Sequence, residues 1–219
     1  VAGEVRVEVS NNGREYTSDG VRLQLVSVRV VEVQPWSGPV LGATVVSVRG
    51  RGLLAGELQC RFGESDGAMA WSGGASRLRC ASAPSAVTGW VGVQLSSFYG
   101  ALSSGGSFYY HAPLVASALT PALGPERGGT RVTVLGSFFR DAYTLRCRFE
   151  NASAAVLARY VDDNQLECSS PVHSLGPKRL MLSMNGQQYD EGTLTFTYQA
   201  AAAVSSVSPA SALAEGGTP

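Results

Sequence analysis

"LRCRFENASAAVLARYVDDNQLECSSP", Leu145 to Pro171, holds two cysteines, Cys147 and Cys168, with twenty residues between them. Its first strand alternates. Leu145, Cys147 and Phe149 fall on one side, and Arg146, Arg148 and Glu150 on the other. Such alternation marks a strand with one buried face. In "NQLEC", Leu166 and Cys168 share a face in the same way, so both thiols are expected inside one core. A disulfide is the cheapest reading, since closing a loop of about 20 residues stabilises a fold by about 3 kcal/mol. Reduced core cysteines are the alternative. Zinc would want close cysteine pairs or histidine partners, but there is no C-x-x-C, and His111 and His173 stand alone. A catalytic thiol would sit exposed beside a base.

The pattern repeats. "LQCRFGESDGAMAWSGGASRLRCASAP" at Leu58–Pro84 carries Cys60 and Cys80, 87 and 88 positions before Cys147 and Cys168. Upstream, "QPWSGPVLGATVVSVRG" at 34–50, "TPALGPERGGTRVTVLG" at 120–136 and "SPASALAEGGTP" at 208–219 align at the same period. Downstream, "VSNNGREYTSDGVRLQL" at 9–25 resembles "LSMNGQQYDEGTLTFTY" at 182–198, about two periods apart. The chain therefore reads as an array. Residues 1–27 are expected to be the C-terminal strands of a preceding unit, 28–112 and 113–200 two full units, and 201–219 the first strand of a following one. The N-terminus lacks the basic start and apolar core of a signal peptide, which suits an internal piece of something longer.

Within 113–200, Val132 and Val134, then Leu180, Leu182 and Met184, then Leu194, Phe196 and Tyr198 continue the period of two. Gly128-Gly129, Asp162-Asp163-Asn164, Asn185-Gly186 and Glu191-Gly192 punctuate the strands. Asn185-Gly186 predicts a tight hairpin turn. Six or seven short strands in such a unit predict an all-β, immunoglobulin-like sandwich. The few residues between units predict sandwiches set end to end in a stiff rod.

Each unit has a Pro-containing bend, a Gly-Gly-Thr-like strand start, L-x-C-x-F, a second cysteine before Ser/Ala and Pro, and a closing Asn-Gly hairpin. These motifs resemble the IPT/TIG module, the immunoglobulin-like domain of plexins and some transcription factors, in the cysteine-bearing form of plexin- and fibrocystin-like surface proteins. The middle unit departs from it with "LGAT" at 41–44 and a degenerate closing hairpin. The resemblance implies a tandem E-set-type array without catalytic activity or cofactor, belonging to a larger cell-surface or secreted protein. It would serve adhesion, recognition or a structural stalk. Partners would be neighbouring IPT units, other protein chains or glycans. The paired cysteines imply an oxidising, extracellular address. The Ala/Gly/Ser-rich composition suits a GC-rich genome such as a green alga's, where gamete adhesion or a ciliary surface coat would fit. Accessory domains of a secreted carbohydrate-active enzyme are the runner-up.

A Rel-type DNA-binding protein is disfavoured. Seventeen basic and seventeen acidic residues give zero net charge, and no stretch concentrates Lys and Arg. No apolar run reaches the roughly 20 residues of a spanning helix. Asp162-Asp163 reads as a solvated turn, since no D-x-D-x-D-G pattern accompanies it. Asn151-Ala152-Ser153 is a glycosylation sequon. Trp36, Trp71 and Trp90 all fall in the first full unit. Trp71, in a Gly/Ala/Ser loop, is the candidate partner contact.

Overall fold

The computed structural model describes residues 3–25, 27–53, 58–65, 68–72, 76–97, 100–211 and 214–215. Every regular element among them is a β-strand. The first pair, β1 (Gly3–Arg6) and β2 (Arg22–Leu25), runs antiparallel with Gly3 opposite Leu25. Val5, Val7, Val9, Val21, Leu23 and Leu25 keep the alternation of buried strands yet are exposed here.

The next nine strands form a sandwich: β3 (Arg29–Gln34), β4 (Ser37–Pro39), β5 (Val45–Arg51), β6 (Gln59–Phe62), β7 (Ala68–Met69), β8 (Trp71–Ser72), β9 (Arg77–Ala81), β10 (Gly89–Ser97) and β11 (Gly100–His111). One sheet has the order β3-β5-β9-β8, the other β4-β11-β10-β6-β7. A second sandwich follows: β12 (Val115–Thr120), β13 (Leu123–Pro125), β14 (Arg131–Ser137), β15 (Arg146–Phe149), β16 (Val156–Asp162), β17 (Gln165–Ser169), β18 (Gly176–Ser183) and β19 (Leu194–Gln199). Its order is β12-β14-β17-β16-β15-β18-β19-β13.

The two are built alike. β16 starts against β15 and crosses to pair with β17. In the first sandwich the same crossing segment is split, with β7 on β6 and β8 on β9. In both, a three-residue strand runs parallel to the last strand, β4 on β11 and β13 on β19. That close approach requires glycine. A Cβ on Gly38 would fall 2.8 Å from Phe108 Cζ and collide with Thr44 Oγ1. One on Gly124 would meet Phe196 Cζ at 2.8 Å and collide with Thr130 Oγ1. The X-Pro bonds Gln34-Pro35, Thr120-Pro121 and Ser208-Pro209 are all cis and recur at the period of the repeat.

Each sandwich has its own core. Val46, Val48, Cys60, Phe62, Cys80, Val93, Leu95 and Phe108 fill the first, and Val132, Val134, Leu145, Cys147, Phe149, Leu166, Leu182 and Phe196 the second. Cys60 is bonded to Cys80 and Cys147 to Cys168, with Cα atoms 6.2 and 6.4 Å apart, so each bridge ties one sheet to the other. The inward phases of Leu145, Cys147 and Phe149 and of Phe196 and Tyr198 are as the alternation predicts, because all are essentially buried.

Two expectations are corrected. Asn185-Gly186 does not make a two-residue hairpin. The ladder between β18 and β19 ends at Leu180 opposite Leu194, and residues 184–193 form a longer loop. The cause is the Asn185 side chain, whose Oδ1 accepts the N–H groups of Gln187 and Gln188 and draws the chain into a side-chain-capped turn. Nor do residues 201–207 take part in the first strand expected over 201–219, since they carry no ladder. A strand exists by pairing. No described strand offers residues 201–207 an edge.

Candidate functional site

The most distinctive surface lies where the two sandwiches meet, and strand phase builds it. Phe108 and Tyr110 of β11 point inward, so Tyr109 points out. Tyr109 is opposite Trp90 on one side and beside Ser37 on the other. Trp90, Tyr109 and Trp36 are thereby placed side by side on the outer face. The two indoles stack with centroids 5.6 Å apart, and Tyr109 sits edge-on to Trp90 at 5.3 Å. Trp90 is 63% exposed.

The second sandwich supplies the other wall. The Arg140 guanidinium lies over the Tyr109 ring, 4.5 Å from its centroid, a cation–π contact. Tyr160 donates its hydroxyl proton to Asp163 Oδ1. That hydrogen bond first, then desolvation, pushes the phenol up to about 12. Trp36, Trp90, Tyr109, Arg140, Asp141, Tyr160 and Asp163 enclose a cleft of 230 Å³. A longer groove of 530 Å³ adjoins it past Tyr109, Arg140 and Asp163, and reaches His111 and the exposed Phe138. His111 is buried there, with Nδ1 donating to the Ala112 carbonyl at 2.8 Å. Burial pushes its pKa down against the raising effect of that hydrogen bond, and the charge of Arg140 pushes the same way as burial.

Flat aromatic faces rimmed by a guanidinium and carboxylates can stack on and hydrogen-bond a ligand. No group of three or more His, Cys, Asp or Glu side chains among the described residues is placed to hold a metal ion.

The residues singled out in the sequence lie elsewhere. Cys60, Cys80, Cys147 and Cys168 are inside the cores. Asn151 is exposed on the turn after β15, in a left-handed conformation with φ of 61°. Trp71 is 43% exposed on β8, opposite Arg79, and does not line the cleft. Trp36 and Trp90 were the missed pair. The signal for Trp90 was present, since it is out of phase with Val93 and Leu95, which face the core.

The joint has a second part. The loop after β18 reaches across to the stretch before β5. Gln187 Oε1 accepts the Val45 N–H at 2.9 Å, and Gln187 Nε2 donates to the Val45 carbonyl at 2.8 Å. Gln188 Nε2 donates to the Ala43 carbonyl at 2.8 Å. Asn185, 4% exposed, donates to Thr44 Oγ1 at 3.3 Å.

A family model described as the IPT/TIG domain matches residues 114–198. Among solved structures, the chain is similar to the plexin A4 full extracellular region. With domains 1 to 10 of that region, the TM-score is 0.60 at 17% identity, over 88% of this chain and 17% of that one. With domains 1 to 8, it is 0.55 at 17% identity, over 87% and 20%. The chain thus spans about a fifth of the length of these structures. At this identity the likeness concerns the fold. Residues 114–198, the stretch that the IPT/TIG domain model matches, coincide with the sandwich of β12 to β19.

Proposed function

We propose that the chain is a non-catalytic stretch of an extracellular array of IPT/TIG sandwiches that spans distance and presents a contact surface at the joint between units. The observation that supports this best is the joint itself. An outward Trp36–Trp90–Tyr109 platform from one sandwich is closed by Arg140 of the next, forming a concave aromatic surface rather than a reactive constellation. Aromatic and Arg side chains are the usual anchors of partner contacts. The two core disulfides fit an oxidising, extracellular setting. Residues 1–27 are the closing strands of a preceding sandwich, whose apolar face would be covered there, and 201–219 lead into a following one. Asn151 carries a glycan, and Trp71 is a lesser contact on an edge strand.

Another protein chain is the favoured partner. A glycan is the second reading, because stacked indoles beside carboxylates also suit the face of a sugar ring. Surface binding to panels of immobilised ectodomains and glycans, with native protein and with Trp36→Ala/Trp90→Ala, tests both. A ligand that loses at least tenfold affinity on the double substitution supports the platform. A ligand bound equally by both proteins refutes it. Small-angle scattering tests the array. A globule of this length would have a radius of gyration of about 17 Å, and a clearly larger value is expected.

A further inference from the structure

The loop that crosses the joint is present twice, and the edge that receives it is present twice, but only one edge is occupied. In the loop after β18, Ser183 Oγ donates to Asn185 Oδ1 at 3.3 Å. Asn185 Oδ1 also accepts Gln187 N–H at 3.0 Å and Gln188 N–H at 3.1 Å. Gly186 N–H donates to Ser183 Oγ at 2.9 Å, and Asn185 Nδ2 donates to Gln188 Oε1 at 2.6 Å. The N-terminal hairpin repeats this turn bond for bond. Ser10 Oγ donates to Asn12 Oδ1 at 3.1 Å, and Asn12 Oδ1 accepts Arg14 N–H at 2.9 Å and Glu15 N–H at 3.1 Å. Gly13 N–H donates to Ser10 Oγ at 2.9 Å, and Asn12 Nδ2 donates to Glu15 Oε2. Gly13 and Gly186 have φ of 73° and 74°. The turn is thus set by Ser-x-Asn-Gly itself, since it forms both docked and exposed.

The receiving edge repeats as closely. Ala43 N–H donates to the Ser82 carbonyl, and Gly129 N–H to that of Ser170, both at 2.8 Å. Thr44 N–H donates to Ser82 Oγ at 3.2 Å, and Thr130 N–H to Ser170 Oγ at 3.1 Å. The first edge is covered: Ser37 and Thr44, which accept from Asn185 Nδ2, are buried, as is Pro35. The second is open: Pro121 and Leu123, the counterparts of Pro35 and Ser37, are exposed, and Thr130, the counterpart of Thr44, is half-buried.

We infer that the edge Gly129–Arg131 is a docking site for a Ser-x-Asn-Gly loop of a following sandwich, held as Ala43–Val45 is held by Asn185–Gln188. The inference rests on the array reading and names the joint it uses. A glutamine after Asn-Gly is well suited to the task, because its amide presents a donor and an acceptor together and captures both backbone groups of one residue, as Gln187 does with Val45. The sandwich 28–112 has no Asn-Gly in its own β10–β11 connection, where Ser97 pairs with Gly100. It receives such a loop and offers none.

The test is an extended protein, residues 1–207 followed by a copy of residues 120–200, which places a second Ser-x-Asn-Gly loop after the open edge. Amide hydrogen exchange at Arg131, the counterpart of Val45, is expected to slow at least tenfold relative to the native chain. The slowing should vanish when the copy carries alanine in place of the residues equivalent to Asn185 and Gln187. A rod-shaped particle with unchanged exchange at Arg131 overturns the docking site and leaves the array standing. A compact particle overturns the array. Should the copy fail to fold, disulfide tethering on the native chain decides the matter. Arg131→Cys protein is offered a peptide of residues 183–189 bearing Gln187→Cys, alone or with Asn185→Ala. At least fivefold more cross-linking by the first peptide is expected, and equal cross-linking refutes the site.

Discussion

The indoles of Trp36 and Trp90 stack at 5.6 Å although 54 positions separate them, one preceding β4 and the other opening β10. Tyr109, paired to both strands, brings them together. Because Trp90 is largely exposed, Trp90→Ala is expected to change stability by less than about 1 kcal/mol, whereas Phe196→Ala, which empties a core site, should cost about 3–5 kcal/mol. Urea unfolding compares the two, and a Trp90 effect as large as that of Phe196 would contradict the assignment.

The parallel strands β4 and β13 each place a glycine, Gly38 and Gly124, where a side chain would strike the core. Gly38→Ala and Gly124→Ala are each expected to destabilise their own sandwich by about 1–3 kcal/mol, as overpacked cores do. The added methyl meets Phe108 or Phe196 and a threonine hydroxyl. Denaturant midpoints check this, and Gly3→Ala, at a position open to solvent, serves as the control.

Removing the bridge by Cys147→Ala/Cys168→Ala is expected to lower the stability of the second sandwich by about 3 kcal/mol, the value for a loop of this length. The first sandwich should lose much less, since its core and bridge are separate and only the joint links it to the second. Amide hydrogen exchange in each core distinguishes the two, because Trp36 and Trp90 line the cleft shared with the second sandwich and their fluorescence would respond to both.

His111 makes the joint sensitive to acid. Its folded pKa lies below 6.5, chiefly through burial and further through Arg140, so the unfolded chain binds the proton more readily. Stability is then expected to fall as pH drops below the ordinary histidine range, and the loss is complete once pH passes below the lowered folded value. His111→Gln should flatten the stability profile over that window, and an unchanged profile would exclude His111 as the cause.

Expression through an oxidising secretory route should yield a glycan-sized mass increment that Asn151→Gln abolishes, because Asn151 is exposed on a turn. Its absence from such material would remove the glycan from the proposal.

What the sequence made legible was local in origin. Alternation in "LRCRFE" and "TLTFTYQ" placed Cys147, Phe149, Phe196 and Tyr198 in the core, because a pleated strand leaves no choice of face. What it hid was decided at a distance. Asn-Gly suits both a tight hairpin and a side-chain-capped turn, and Asn185 takes the second while its amide meets Thr44 in the other sandwich. The alternation in "VLARYVD" could not reveal that β16 changes sheets midway, since either sheet offers a strand edge at the same spacing. The cleft under Arg140 depends on how two sandwiches abut, a relation that no window of sequence contains.

The parallel pairing of each sandwich's short early strand with its last strand bears on what happens when the molecule is pulled from its two ends. Trp36 and Val40 bond to Tyr109 and His111 through backbone groups, and Ala122 and Glu126 bond to Thr197 and Gln199 in the same pattern. In a parallel pair, opposed traction on the entering and leaving chain runs along the strands and across their hydrogen bonds. The bonds are loaded together in shear and must give way at once, whereas an antiparallel pair held at one end would unzip bond by bond. Each sandwich is therefore latched mechanically at the point where tension enters it, an arrangement that suits a tether under load.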